Sequence, residues 1–92
     1  MKAFRTTTER GYNDGFQMTF GNGCTISVQF GIHTYSDAGE TTAEIGAWNS
    51  SGDWMYWNGD NWSVLTDDHS DIMSHQSPDN VAVMISELIK IY

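Results

Sequence analysis

The sequence predicts a small α+β domain: an antiparallel β-meander sheet of about five strands, with a C-terminal helix packed on one face. Three observations carry this expectation. Residues 16–30 alternate apolar and polar positions on both sides of Gly21-Asn22-Gly23, as a half-buried hairpin does. Two further aromatic-rich segments follow, separated by glycine-containing turns. After Ser77-Pro78 the apolar spacing changes from the strand period to the helical one. The 92 residues make a single domain spanning 1–92, without linker, repeat or low-complexity segment. A chain of this length buries only about 60–65% of its unfolded surface, so its core must be rich in large side chains. The aromatic fraction of 13% supplies them.

The first hairpin joins Phe16–Phe20 to Cys24–Phe30. Asn22-Gly23 suggests a two-residue turn, yet that turn would set Phe20 beside Thr25 and Met18 beside Ser27, mixing the faces. A three-residue loop pairs Phe20 with Cys24, Met18 with Ile26 and Phe16 with Val28. Register follows the buried face, so the longer loop is expected, with Gly23 in the left-handed conformation. Cys24 then joins the apolar face as a packing residue.

A second group of strands is expected at Thr42–Trp48, Asp53–Trp57 and Trp62–Leu65, joined by loops at Asn49–Gly52 and Asn58–Asn61. Paired as a meander, Trp48 falls beside Asp53 and Trp57 beside Trp62. One face then carries Ala43, Ile45, Ala47, Trp54, Tyr56 and Leu65. The other carries Glu44, Trp48, Met55, Trp57, Trp62 and Val64. Both faces are apolar, as in a segment covered on both sides or one with a buried face and an exposed interaction face. Trp54 and Trp57 are assigned to the core, whereas Trp48 and Trp62 fit core or interface equally. Residues 67–75 are expected to add a short helical turn.

For the helix, Ser77 is the N-cap, Pro78 the first helical residue and Asp79 an acid in the first turn. Val81, Met84, Ile85 and Leu88 recur at the spacing of one buried stripe, which Ile89 and Ile91 widen.

The charges are unevenly distributed. Net charge is −8, and no Lys or Arg occurs between Arg10 and Lys90. Such a chain is a poor general binder of nucleic acid, which needs clustered cations. It favours rapid association with a positively charged partner. Lys2, Arg5 and Arg10 could reach phosphates, but three cations cannot support tight independent binding; alternatively they mark a solvated edge strand. A single cysteine allows no internal disulfide, which favours a reducing compartment. The opening residues lack an apolar signal-peptide core, and no apolar run approaches the about 20 residues of a membrane span.

Nothing in the sequence makes a reactive centre. His69 and His75 are six apart, not the four that a helical metal pair needs. Asn58-Gly59-Asp60 has the outline of a calcium loop, but Trp54 and Tyr56 occupy the upstream ligand positions. Neither a G-x-S-x-G elbow nor a phosphate-cradling glycine motif occurs. The expectation is therefore a protein without catalytic residues, metal or cofactor. Base stacking on the aromatic segment is disfavoured by the missing cations, whereas sugar stacking requires none.

The runs FGNGCTISVQFG (Phe20–Gly31) and TTAEIGAW (Thr41–Trp48), the turn at Gly52–Trp54 and the opening MKAFRTTTERGYNDG resemble small bacteriophage proteins. Over essentially its full length the chain resembles the type I-F class of phage anti-CRISPR proteins. The shared motifs are turn and strand residues, so they speak to fold before function. The resemblance implies a stoichiometric inhibitor in the host bacterial cytoplasm. It would bind the backbone subunits of the guide-RNA-loaded type I-F surveillance complex and stop target DNA from pairing with the guide. It carries no contact residues over. On charge and expected exposure, the partner-binding candidates are Asp14, Asp37, Glu40, Asp60, Asp67, Asp68 and Asp71. Lys2, Arg5 and Arg10 are the candidates for touching guide-RNA phosphates. A second reading is a phage structural or adaptor protein that binds another protein or a glycan through the aromatic hairpin around Trp57 and Trp62.

Overall fold

The computed structural model describes residues 3–5, 14–31, 36, 40–65 and 72–91. Strands β1 (Gly15–Thr19), β2 (Thr25–Gln29), β3 (Ala43–Trp48), β4 (Trp54–Trp57) and β5 (Trp62–Val64) form an antiparallel meander in sequence order. A sixth strand, β6 (Met73–Gln76), pairs with β3, and helix α1 (Pro78–Leu88) follows it. The α+β architecture expected from the sequence is thus present, with one strand more than expected.

The first hairpin has the expected register. Phe16 pairs with Val28 and Met18 with Ile26, while the Phe20 N–H donates to the Cys24 carbonyl at 2.9 Å. Gly23 closes the three-residue loop at φ +85°, a conformation that costs glycine no Cβ clash. Cys24, Ile26 and Val28 are all buried as a result. Phe16 shares their face but is 43% exposed, because β1 lies at the sheet edge.

The second hairpin corrects the expected pairing by one residue. Trp48 stands opposite Trp54, not Asp53, and Ala47 opposite Met55. The physical reason is the loop. Gly52 also has φ +85° and donates its N–H to Asn49, while the Asn49 N–H donates to the Asp53 carbonyl. This repeats the Phe20–Cys24 turn at Asn49–Asp53, with Ser50-Ser51-Gly52 as the three-residue loop. The Asn49 side chain reinforces it, its Oδ1 accepting from the N–H groups of Ser51 and Asp53 at 3.0 and 2.9 Å.

That single step exchanges the faces of β4. Met55 and Trp57 join Ala43, Ile45 and Ala47 in the core, and Trp54 is half-buried on the opposite face with Trp48. The core assignment of Trp57 therefore holds and that of Trp54 does not. The pairing of Trp57 with Trp62 is as expected, with ring centroids 5.5 Å apart. The Asn58–Asn61 hairpin turn is also as expected, held by the Asn58 Oδ1, which accepts from the N–H groups of Asp60 and Asn61.

The expected helical turn at 67–75 is overturned at its C-terminal end, where Met73–Gln76 is strand; residues 66–71 lie outside the described residues. Strand β6 takes the N-terminal half of the β3 edge whose C-terminal half pairs with β4. Ala43 pairs with Gln76 and Ile45 with Met73, so Ser74 and His75 together oppose Glu44 in a bulge. His75 absorbs it at φ +53°, in the left-handed region that histidine enters more readily than most side chains.

Helix α1 starts as its sequence dictates. Ser77 Oγ accepts from the Asn80 N–H at 3.2 Å, and Pro78 occupies the first turn, where no N–H is needed. Val81, Met84 and Leu88 are buried against the sheet, contributing about 1.5–3 kcal/mol each before chain entropy. Ile85 and Ile91 pack partly against the core. Ile89 does not widen the stripe: it is 51% exposed, having turned past the sheet just after the helix ends. Two side chains from the sheet tie the helix down. The Trp62 Nε1–H donates to the Met84 carbonyl at 2.9 Å. Asn22 Nδ2 donates to the carbonyls of Leu88 and Ile91 at 2.9 and 2.7 Å, bracing the chain where the helix ends, with the Leu88 carbonyl also accepting from the Ile91 N–H at 3.3 Å. Asn22 is thus both a turn residue and the cap of a helix over sixty residues away in sequence.

Candidate functional site

The helix covers one face of the sheet, and the opposite face is concave. The polar positions of the strand alternation point into it: Gln17 from β1, Ser27 and Gln29 from β2, Glu44 from β3. Gln17 lies opposite Ser27, Ser27 opposite Gly46, and Gln29 opposite Glu44, so the floor is a continuous row of side chains. The concavity holds about 460 Å³, with Ile72 at one rim.

Trp48 and Trp54 form its aromatic wall, their rings meeting edge-on at 5.3 Å and 64°. Gly46 makes room for this arrangement. A Cβ there would stand 3.1 Å from Trp54 Cζ3, so any larger residue would push the indole away. Within the floor, the Gln29 amide donates to Ser27 Oγ at 3.1 Å; beyond it on β1 and β2 the Thr19 and Thr25 hydroxyls share a hydrogen bond of 2.8 Å. The arrangement combines flat apolar surface with amide, hydroxyl and carboxylate groups at fixed spacing. It suits recognition by contact and hydrogen bonding.

This face also replaces the aromatic surface expected around Trp57 and Trp62. Trp57 is 8% exposed and Trp62 is half-buried against the core. Among the described residues, Trp48, Trp54 and Tyr56 are the aromatic side chains on the face away from the helix.

The acidic candidates are dispersed. Glu40 is exposed, and its carbonyl accepts from the Ala3 N–H at 2.9 Å. Asp60 is exposed in the β4–β5 turn. Asp14 is half-buried before β1; its backbone carbonyl accepts from the Phe30 N–H, while its Oδ1 is buried without a hydrogen-bond partner among the described residues. Asp14 is therefore less available to a partner than its charge suggests. Arg5 is exposed just after a bend at residues 3–4 and lies in no strand, contrary to the edge-strand reading for that residue. Asp37, Asp67, Asp68, Asp71, Lys2 and Arg10 lie outside the described residues.

The groove residues Gln17, Ser27, Gln29 and Glu44 were not among the sequence candidates. The available signal was their place at polar positions of strands whose other face is core, together with Gly46 in mid-strand beside two tryptophans.

No group of three or more His, Cys, Asp or Glu side chains among the described residues is placed to hold a metal ion. No described helix is long and apolar enough to cross a membrane. Burial pushes the Cys24 thiol above its ordinary range. It is expected to resist an aromatic disulfide reagent in the native state and to react once the chain unfolds, which a spectrophotometric thiol assay checks. The sign for stability follows. Because the folded pKa is raised, this stabilisation is complete below the unfolded thiol range and is lost as pH rises from that range towards the folded value.

No protein-family model, curated protein or solved structure matches the chain.

Proposed function

We propose that this chain is a non-catalytic inhibitor that works by occupancy. It would bind the guide-RNA-loaded type I-F CRISPR surveillance complex in the host bacterial cytoplasm, on the repeated backbone subunits, and keep target DNA from reaching the guide. The observation that carries this reading is the charge layout: twelve carboxylates against four Lys and Arg, with no cation from residue 11 to residue 89. The resemblance of the strand and turn motifs supplies the identity of the target.

The physics supports the direction of the interaction. A channel that handles DNA presents Lys and Arg to phosphates, and an acidic protein is drawn to that same field. Glu40, Asp53, Asp60 and Asp79 are exposed on four different parts of the surface. Lys90 offers little opposing charge, because its ammonium is 2.7 Å from the Glu87 carboxylate. Lys2, Arg5 and Arg10, near the other end of the chain, would meet guide-RNA phosphates where the RNA is accessible.

Added before target DNA, the protein is expected to abolish the DNA gel shift of the complex; added after the DNA, it should leave the shift in place. Its affinity for the complex should fall as salt rises from about 0.05 to 0.5 M, where screening shortens from beyond 10 Å to a few ångströms. Replacing both Glu40 and Asp60 by lysine should weaken association mainly through the on-rate. A DNA shift unaffected by prior addition would exclude this function, and salt-independent affinity would exclude its electrostatic basis.

A further inference from the structure

We propose that the concave face opposite the helix is a binding site for a neutral oligosaccharide. The site is distinct from the acidic surface invoked for inhibition and stands or falls separately.

Its wall and floor divide the work as sugar recognition requires. A pyranose ring has an apolar C–H face and a rim of hydroxyls that both donate and accept. Trp54, seated over Gly46 and braced by the edge of Trp48, offers a broad apolar surface that loses little side-chain entropy on contact. Gln17 presents an amide with two donors and an acceptor, Gln29 the part of its amide not bonded to Ser27 Oγ, Ser27 its hydroxyl, and Glu44 a carboxylate. Strand alternation and the β1–β2–β3 register fix the spacing of these groups. The volume of about 460 Å³ falls within the range of small-molecule sites, about 300–1,000 Å³.

The lining also selects by charge. Among the described residues that form it there is one carboxylate, Glu44, and no cation. Uronic acids, sugar phosphates and nucleic acid, each of which needs a positive partner, find no Lys or Arg among these described residues. A polypeptide is the less suitable occupant. An extended peptide recognises a sheet through unpaired backbone groups at an edge, and a proline-rich one uses an aromatic-lined groove. Here the floor presents side chains: the backbone groups of β2 and β3 are paired in the ladder, the outer edge of β1 borders the floor rather than forming it, and among the described residues one tryptophan pair makes the aromatic wall.

The test uses the full chain with cellotetraose, maltotetraose, chitotetraose and mannotetraose as probes, tetragalacturonate as the charged control and a proline-rich decapeptide as the polypeptide control. At least one neutral sugar should give a saturable change in tryptophan emission, with amide NMR shifts centred on Ser27, Gly46 and Trp54. Trp54→Ala should weaken binding by about tenfold. Gln17→Ala, an exposed change on the edge strand, should weaken it by about two- to tenfold. Val83→Ala, on the outer surface of the helix, should change nothing. The proposal is overturned if none of the four neutral sugars saturates, or if binding is unaltered in folded Trp54→Ala and Gln17→Ala. It is equally overturned if only the peptide or the charged sugar binds.

Discussion

Trp57→Ala is expected to destabilise the protein by about 3–5 kcal/mol, the range for emptying a buried aromatic site. Trp54→Ala should cost much less, about 1–2 kcal/mol, mainly its edge contact with Trp48 and partial burial. The two residues are three apart on one strand, and only their faces distinguish them. Trp57 is buried in the core on the helix-covered face, opposite Trp62 of β5 with ring centroids 5.5 Å apart. Removing it also loosens Trp62, whose indole N–H is bonded to the helix at Met84. Trp54 looks out over the concave face. Urea unfolding of the two variants, followed by far-ultraviolet circular dichroism, measures the difference directly. Equal losses, or a larger one for Trp54, would overturn the observed pairing of β3 with β4.

That contrast marks where the sequence could be read and where it could not. In the first hairpin the correct register followed from asking which loop kept the apolar positions on one face. The same question was harder at Asn49–Asp53, because β4 is apolar on both faces: Trp54-Met55-Tyr56-Trp57 satisfies either register. Only loop chemistry breaks the tie. Gly52 follows Ser50-Ser51 as Gly23 follows Gly21-Asn22, and a glycine in the third place marks the left-handed corner of a three-residue loop. The information was present in a turn residue and missing from the hydrophobic pattern.

Other features had no local signal. Met73-Ser74-His75-Gln76 has weak strand character and becomes a strand because the N-terminal half of the β3 edge would otherwise be unpaired. Its bulge at His75 accommodates an irregular register that no alternation rule anticipates. The double use of Asn22 is equally non-local, since its helix-end acceptors lie beyond residue 87. The helix itself was legible because its cap, proline and stripe are contiguous. Of the candidate site, the acidic residues were visible as composition, but the groove depends on which strands are neighbours. Gln17, Ser27 and Glu44 become one surface only after the meander forms.

The remaining large effect belongs to the joint between the helix end and the first hairpin. Leu88→Ala is expected to cost about 2–5 kcal/mol, because the side chain is fully buried and the sheet beneath it cannot collapse into the gap. For 92 residues the whole stability is roughly 5–14 kcal/mol, so this substitution alone removes a large part of it. Asn22→Ala should cost about 1–3 kcal/mol, reflecting the loss of two hydrogen bonds to the helix end, whose acceptors regain some water, and of one from the Cys24 N–H within the turn. The two residues meet at one atom: the Leu88 carbonyl accepts from Asn22, while the Leu88 side chain anchors the turn that holds that carbonyl in place. Their effects should therefore not add. Once Leu88→Ala has loosened the last turn, Asn22 has less to lose, and the double variant should be more stable than the sum predicts by about 0.5–1 kcal/mol or more. Denaturant titrations of both single variants and the double variant measure that coupling. Strict additivity would mean that the cap and the packed side chain act independently, and that the hairpin turn does not lock the helix as one unit.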